Sequence, residues 1–276
     1  MIQRVAAFSF APTEVSEAKG VTIRRAIGGD RLAIIDPFML LDHASTPAGS
    51  NVVGFHRHPH RGIETLSVVL RGDVKHKDSI GNEGQVGPGG AQWMTAGDGI
   101  YHEEMMIPGA EGSEMLQLWF SLPRDRKRIP AAYRGAASVP HVASGDGDIA
   151  VIAGDFRGIE GPLDGIAVNP TVLNISITSG GTVEIPTATG DAVAVYMYYG
   201  AATVGGKDAK APELVVLAGG DAVTITAGGE GVKCLFIAAA PLNEPIIQYR
   251  SFVMNTVEDI RETMELIKSG EFAKPK

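Results

Sequence analysis

The 276-residue sequence contains one cysteine, Cys234, so no internal disulfide can form. A lone thiol inside the apolar run VKCLFIAAA reads as a buried strand residue in a protein of a reducing compartment. Long apolar runs are missing too. None approaches the ~20 residues of a membrane-spanning helix, and the opening MIQRVAAFSFAP is too short an apolar stretch for a secretory leader. The expectation is a cytoplasmic protein with no membrane partner. Positive charge is scarce: 24 Lys and Arg against 32 Asp and Glu leave a formal net charge of −8. That balance argues against direct nucleic-acid binding. The densest basic run, RDRKR at 124–128, reads as a solvated connection, or at most as a small face for an acidic protein partner. A GxSxG elbow is also absent, so a serine nucleophile has no support.

Glycine, by contrast, is abundant, with 35 residues placed mostly in punctuating clusters such as GPGG at 87–90. Between the clusters lie short β-rich runs, among them ETLSVVLRG, MLQLWFSL, DIAVIAGDF, TVLNISI and AVAVYMYYG. The class is therefore all-β, built as sandwiches or barrels. At this length a single hydrophobic core nears its limit, so two domains are expected. The Pro-, Ala-, Ser- and Gly-rich stretch at 129–148 separates two strand-bearing halves and sets the domains at 1–134 and 135–276. The halves echo each other: VGPGGAQWMTAGDGIYH at 86–102 parallels LAGGDAVTITAGGEGVK at 217–233, as in a duplicated barrel. No histidine follows His141, so a histidine site belongs to the first half only. Near the C-terminus, Thr256 with Asp259 forms a capping-box pattern, Val257, Ile260, Met264 and Ile267 recur at helical spacing, and Gly270 reads as a stop.

Three of the seven histidines fall on alternate positions of FHRHPHRGIETLSVVL. In a regular strand His56, His58, His60 and Glu64 would share one face. About forty residues on, His102 and Glu104 of GDGIYHEEMM likewise share a face while Glu103 turns away. Two adjacent strands each offering such a pair can converge on one divalent first-row metal. Gln117 and Trp119 alternate on one face of a further strand; Met94, Met105 and Met106 are candidate apolar lining. Arg61 reads as one half of a structural ion pair.

HPHRGIET at 58–65, QWMTAGDGIYHEE at 92–104 and LQLWFSLP at 116–123 resemble the signature of the pirin family. DPFMLLD at 36–42 and PLNEPIIQYRSFVMNT at 241–256 agree, so the resemblance spans nearly the whole chain in matching order. It implies a bicupin: two antiparallel jelly-roll barrels, here with a short C-terminal helix and with metal in the first barrel alone. It also implies a ligand set of His58, His60, His102 and Glu104, one iron(II) per chain (other first-row ions fit the same donors), and Glu64 as a supporting residue behind the ligands. Gln117 becomes a substrate-pocket residue. His56 becomes a mouth residue. The implied activities are two: opening of a flavonol ring such as that of quercetin by O₂ with release of CO, Glu104 taking the proton, or metal-dependent regulation through a protein partner. Three departures bear on specificity. Asp98 stands where a basic residue is common, His43 where an acidic one is frequent, and Tyr249-Arg250-Ser251 where His-Gly-Pro is usual.

Overall fold

The computed structural model describes residues 1–274. Its elements are strands throughout, with one α-helix, Val257–Ser269, among the described residues. Among the described residues no helix is long and apolar enough to cross a membrane. Two units form: Glu14–Gly28, Asp36–Ser138 and the tail from Leu242 make one, while Met1–Thr13, Gly29–Ile35 and Val139–Pro241 make the other.

The first of these carries the histidine cluster. One sheet runs Ala132–Ala136, Ala91–Thr95, Ile63–Arg71, Ser113–Ser121, Phe38–Thr46, Thr22–Ile27, Thr13–Val15, and a second runs Val53–His60, Ile100–Ile107, Asp73–Asp78, Glu83–Val86. Period-two alternation sets which side chains enter the interior. Ile100–Ile107 turns Ile100, His102, Glu104 and Met106 inward, and Asp73–Asp78 does the same with Val74, His76 and Asp78. Apolar side chains including Val69, Val74, Val86, Met106 and Met115 close the interior on one side. Met106 faces Val74, and one step along the same strands Glu104 faces His76, so the polar cluster lies directly beyond that plug.

The other unit fills its interior with apolar side chains. The stretch that echoes GAQWMTAGDGIYH runs as one long strand, Ala222–Ala239, and sends Val232, Cys234 and Phe236 into the core. Burial pushes the Cys234 thiol up to about 12, so it stays protonated. Lys233, at the position that echoes His102, is exposed over the Tyr199 ring.

The units depart from a division at 134/135 at both ends of the chain. Strand Val5–Phe10 pairs with Glu213–Ala218 and belongs to the second barrel. The tail belongs to the histidine-bearing one. Lys127, from the RDRKR run, is buried and donates to the carbonyls of Gly62 and Val253, each at 2.8 Å, and to Ser121 Oγ at 2.9 Å. Arg61 donates to Thr263 Oγ1 at 2.8 Å and to Asp98 Oδ1 at 2.6 Å, which makes it the ion-paired structural residue the sequence suggested. Arg128 pairs with Asp259 and Glu262 of the helix. Two of the four basic residues of RDRKR, Lys127 and Arg128, thus hold the tail, the buried one because a charge is tolerated inside only where acceptors meet it, while Arg124 and Arg126 are exposed. Gly62 has φ +74°, and a Cβ there would lie 2.0 Å from the Val253 carbonyl, so only glycine lets the tail approach.

The helix starts and stops where its sequence says. Thr256 and Asp259 make the reciprocal capping box, and Gly270 closes the end in the left-handed conformation. Its apolar stripe is less buried than the spacing predicts. Val257 and Met264 stay exposed, and the fully buried residue is Thr263, held by Arg61.

Candidate metal centre

Strand Val53–His60 pairs antiparallel with Ile100–Ile107 so that His102 faces His58. Past that pair the register slips by one, and Glu104 faces Phe55. This bulge explains why His56 does not share the face of His58 and His60. Phe55 takes the inward place, lining the pocket with the histidines, and His56 is exposed. The regular-strand expectation fails at this point.

His58, His60 and His102 converge, with one ring nitrogen from each lying within 4.8 Å of the others. Their other nitrogens are engaged. His58 Nδ1 reaches the His56 carbonyl at 2.8 Å, His60 Nδ1 the Ser251 carbonyl at 3.3 Å, and His102 Nδ1 lies 3.5 Å from His76 Nδ1. A carbonyl can only accept, so His58 and His60 carry their protons on Nδ1 and keep lone pairs on Nε2. The Nε2 atoms of His58 and His102 are 3.0 Å apart. Two bare lone pairs repel at that distance, whereas ligands at right angles on an ion ~2.1 Å away sit about 3 Å from each other. The donor set fits a first-row divalent metal. Burial, reinforced by the neighbouring imidazoles, lowers the pKa of His102 well below the ordinary histidine value. Burial and the His58 charge do the same to His60, against the Ser251 carbonyl. Both rings are thereby kept neutral, as coordination requires.

Glu104 falls in a second, overlapping group with His76 and His102. Its Oε1 accepts from Ser67 Oγ at 2.7 Å and from Gln92 Nε2 at 2.8 Å. Tyr133 donates to Gln92 Oε1 at 3.0 Å, which fixes that amide, and burial with the Glu104 and Asp78 charges pushes the phenol up to about 12. The Ser67 hydroxyl also lies 3.0 Å from the Gln117 side-chain amide. The partner atom there is the amide oxygen, Gln117 Oε1, so the one Ser67 proton serves one acceptor at a time, Glu104 Oε1 or Gln117 Oε1. Glu64 accepts from Thr95 Oγ1 at 2.7 Å and lies outside both groups.

A cavity of about 390 Å³ opens onto His58, His60, Glu104 and Gln117. Its apolar wall is Met39, Leu40, Phe55 and Trp119, the last edge-on to His60 with ring centroids 4.9 Å apart. Trp119 therefore lines the pocket beside Gln117. Met94, Met105 and Met106 do not line it; Met94 and Met106 are core. At the mouth Arg25 is paired with Asp42 and Glu17, and Arg250 stands in the left-handed conformation with φ 54°. His43 is bound to Glu114, away from the cavity. Sequence reasoning gave no role to His76, Ser67, Gln92, Tyr133 or Phe55. His76 and Asp78 show the same x, x+2 spacing as the recognised pairs, a signal that parity could have found.

Residues 20–120 match the family Pirin and residues 172–273 the family Pirin C-terminal cupin domain. A protein of Pseudomonas aeruginosa named "Putative quercetin 2,3-dioxygenase" is 35% identical over 273 residues, covering 94% of each chain. Pirin of Rattus norvegicus is 36% identical over 91% of this chain and 87% of its own. The crystal structure of quercetin 2,3-dioxygenase from Acinetobacter baumannii superposes with a TM-score of 0.89 and 30% identity, covering 99% of both chains.

Proposed function

The chain belongs to the pirin family, and from that premise we propose that it is a metal-dependent dioxygenase of small aromatic substrates, opening the central ring of a flavonol such as quercetin. One O₂ is consumed, both its atoms enter the ring-opened ester, and one carbon leaves as CO. The observation that carries this is the convergence of three histidine nitrogens, two of them on residues that line a cavity with an aromatic wall, His58 and His60. At about 390 Å³ it falls within the ~300–1,000 Å³ typical of small-molecule pockets. His58, His60, His102 and Glu104 would hold one divalent ion, iron(II) being the choice the resemblance implies. Bound there, the ion supplies Lewis acidity toward the substrate oxygen and a redox partner for O₂.

The rest falls to side chains. Phe55, Met39 and Trp119 hold the flat rings and exclude water. Gln117, on the cavity wall, donates its amide N–H to a substrate oxygen. Glu104 takes the proton of the flavonol 3-hydroxyl, and the Ser67 and Gln92 donors aim its carboxylate at the cavity. Loss of that proton turns the flavonol into an electron-rich anion, the form that reacts with O₂. The relative named for quercetin dioxygenation supports this substrate class. The regulator alternative has less to stand on, since Lys127 and Arg128 of RDRKR, its candidate surface, are taken up by the tail, which leaves Arg124 and Arg126 as its basic side chains. Anaerobic titration of quercetin into the metal-loaded protein tests the proposal. A red-shifted flavonol band on binding, weakened in Glu104→Gln, is expected; an unshifted band would contradict proton transfer to Glu104.

A further inference from the structure

Asp78, His76 and His102 form a line of buried polar groups leading to the histidine cluster from behind. All three belong to one sheet, where His102 faces Asp78 across the register and Glu104 faces His76. His76 is 1% exposed and stacked on Tyr133, with ring centroids 4.1 Å apart and planes 11° from parallel. Its Nε2 lies 3.3 Å from Asp78 Oδ2, and its Nδ1 lies 3.5 Å from His102 Nδ1. Asp78 is itself fixed. Its Oδ1 accepts the backbone N–H groups of Ile80 and Asn82 at 3.0 and 2.9 Å, and its Oδ2 accepts the Asn82 amide at 2.8 Å.

A carboxylate accepts only, so it draws the His76 proton onto Nε2 and leaves a lone pair on Nδ1. That lone pair selects the His102 tautomer with the proton on Nδ1, which bares Nε2 toward His58. We infer that His76, held by Asp78, is a positioning residue that sets the tautomer and ring angle of His102 for metal binding. The inference rests on the ligand set proposed above. It gives His102 what the His56 and Ser251 carbonyls give His58 and His60, except that here the acceptor is a side chain whose own proton must be placed. Partners behind a metal ligand change affinity by ~10–100-fold when removed.

The order of effects makes the test specific. Asp78→Asn keeps the shape but presents an NH₂ to His76 Nε2, so the His76 proton moves to Nδ1 and faces the His102 proton. His102 must then protonate Nε2, the atom that binds metal. Asp78→Asn should therefore weaken cobalt(II) binding at least as much as His76→Phe, which keeps the stack on Tyr133. In His76→Phe/Asp78→Asn the added cost of the asparagine should vanish. Cobalt(II) affinity and its visible d–d spectrum would be measured on full-length protein, with circular dichroism for folding and His102→Ala as reference. The expected result is a ~10–100-fold loss in Asp78→Asn with an altered spectrum and an intact fold. Wild-type affinity and spectrum in both single variants, with binding lost in His102→Ala, would overturn the inference and leave the ligand set standing. Binding retained in His102→Ala would overturn the ligand set itself. Should His76→Phe not fold, the near-isosteric Asp78→Asn decides alone.

Discussion

At the scale of single residues, the site is a matter of where protons sit. His60 and His102 have folded-state pKa values below the ordinary histidine value of 6.5, chiefly through burial. Between the folded and unfolded values the unfolded chain binds more protons, so unfolding is favoured as pH falls. Their contribution is absent above about pH 6.5 and destabilises progressively below it. Metal-free protein should therefore lose urea resistance between pH 7.5 and 5, by up to ~1.4 kcal/mol per pH unit for each histidine. The slope should be shallower in His102→Ala; an equal slope would remove that ring from the cause. Glu104→Gln, compared at equal metal content, should lower kcat by ~10²-fold or more, since the amide cannot take a proton. A kcat within a few-fold of wild type would reassign the base. The convergence of His58, His60 and His102, with Glu104 in an overlapping group, was legible because strand parity and a family-like motif coincide on these residues. His76 was passed over despite its x, x+2 spacing to Asp78, because one histidine between two lysines in VKHKD looks like an exposed edge until the register with Glu104 is known.

At the scale of elements, the sequence stated the alternation of strands, the helix and both its caps. It did not state the bulge opposite His102 and Glu104, which turns His56 outward and Phe55 inward, since a bulge arises from pairing rather than local preference. Nor did it show the docking of the tail, which depends on partners such as Gly62 and Val253 far apart in the chain. The helix cap and the tail clamp should differ in weight. Thr256→Ala removes the bond accepted from the Asp259 N–H and the one donated to Asp259 Oδ2, and should cost about 1 kcal/mol. Lys127→Met removes three buried charge-assisted hydrogen bonds, to the Gly62 and Val253 carbonyls and the Ser121 hydroxyl, and should cost more, ~2–4 kcal/mol. Because Ser251 of the tail holds His60, Lys127→Met should also weaken metal binding while Thr256→Ala leaves it unchanged. Urea midpoints and metal titrations on both variants check this; equal effects would mean that the clamp and the site are uncoupled.

For the whole molecule, one half carries polar side chains inside its barrel and the other fills the equivalent space with Val232, Cys234, Phe236 and their neighbours. Metal should accordingly stabilise the histidine-bearing unit, by about 2.7 kcal/mol at a hundred times Kd, and leave a separate transition of the other unit in place. Calorimetry with and without metal distinguishes this from a uniform shift. The proposed function turns on one assay: quercetin loss and CO release in air by metal-stripped protein, by the same protein reloaded with iron(II), and by His102→Ala treated identically. Turnover should appear only in the reloaded wild type, with one CO per quercetin. Tightly bound metal without turnover, or equal turnover in His102→Ala, would contradict a dioxygenase centred on this histidine cluster.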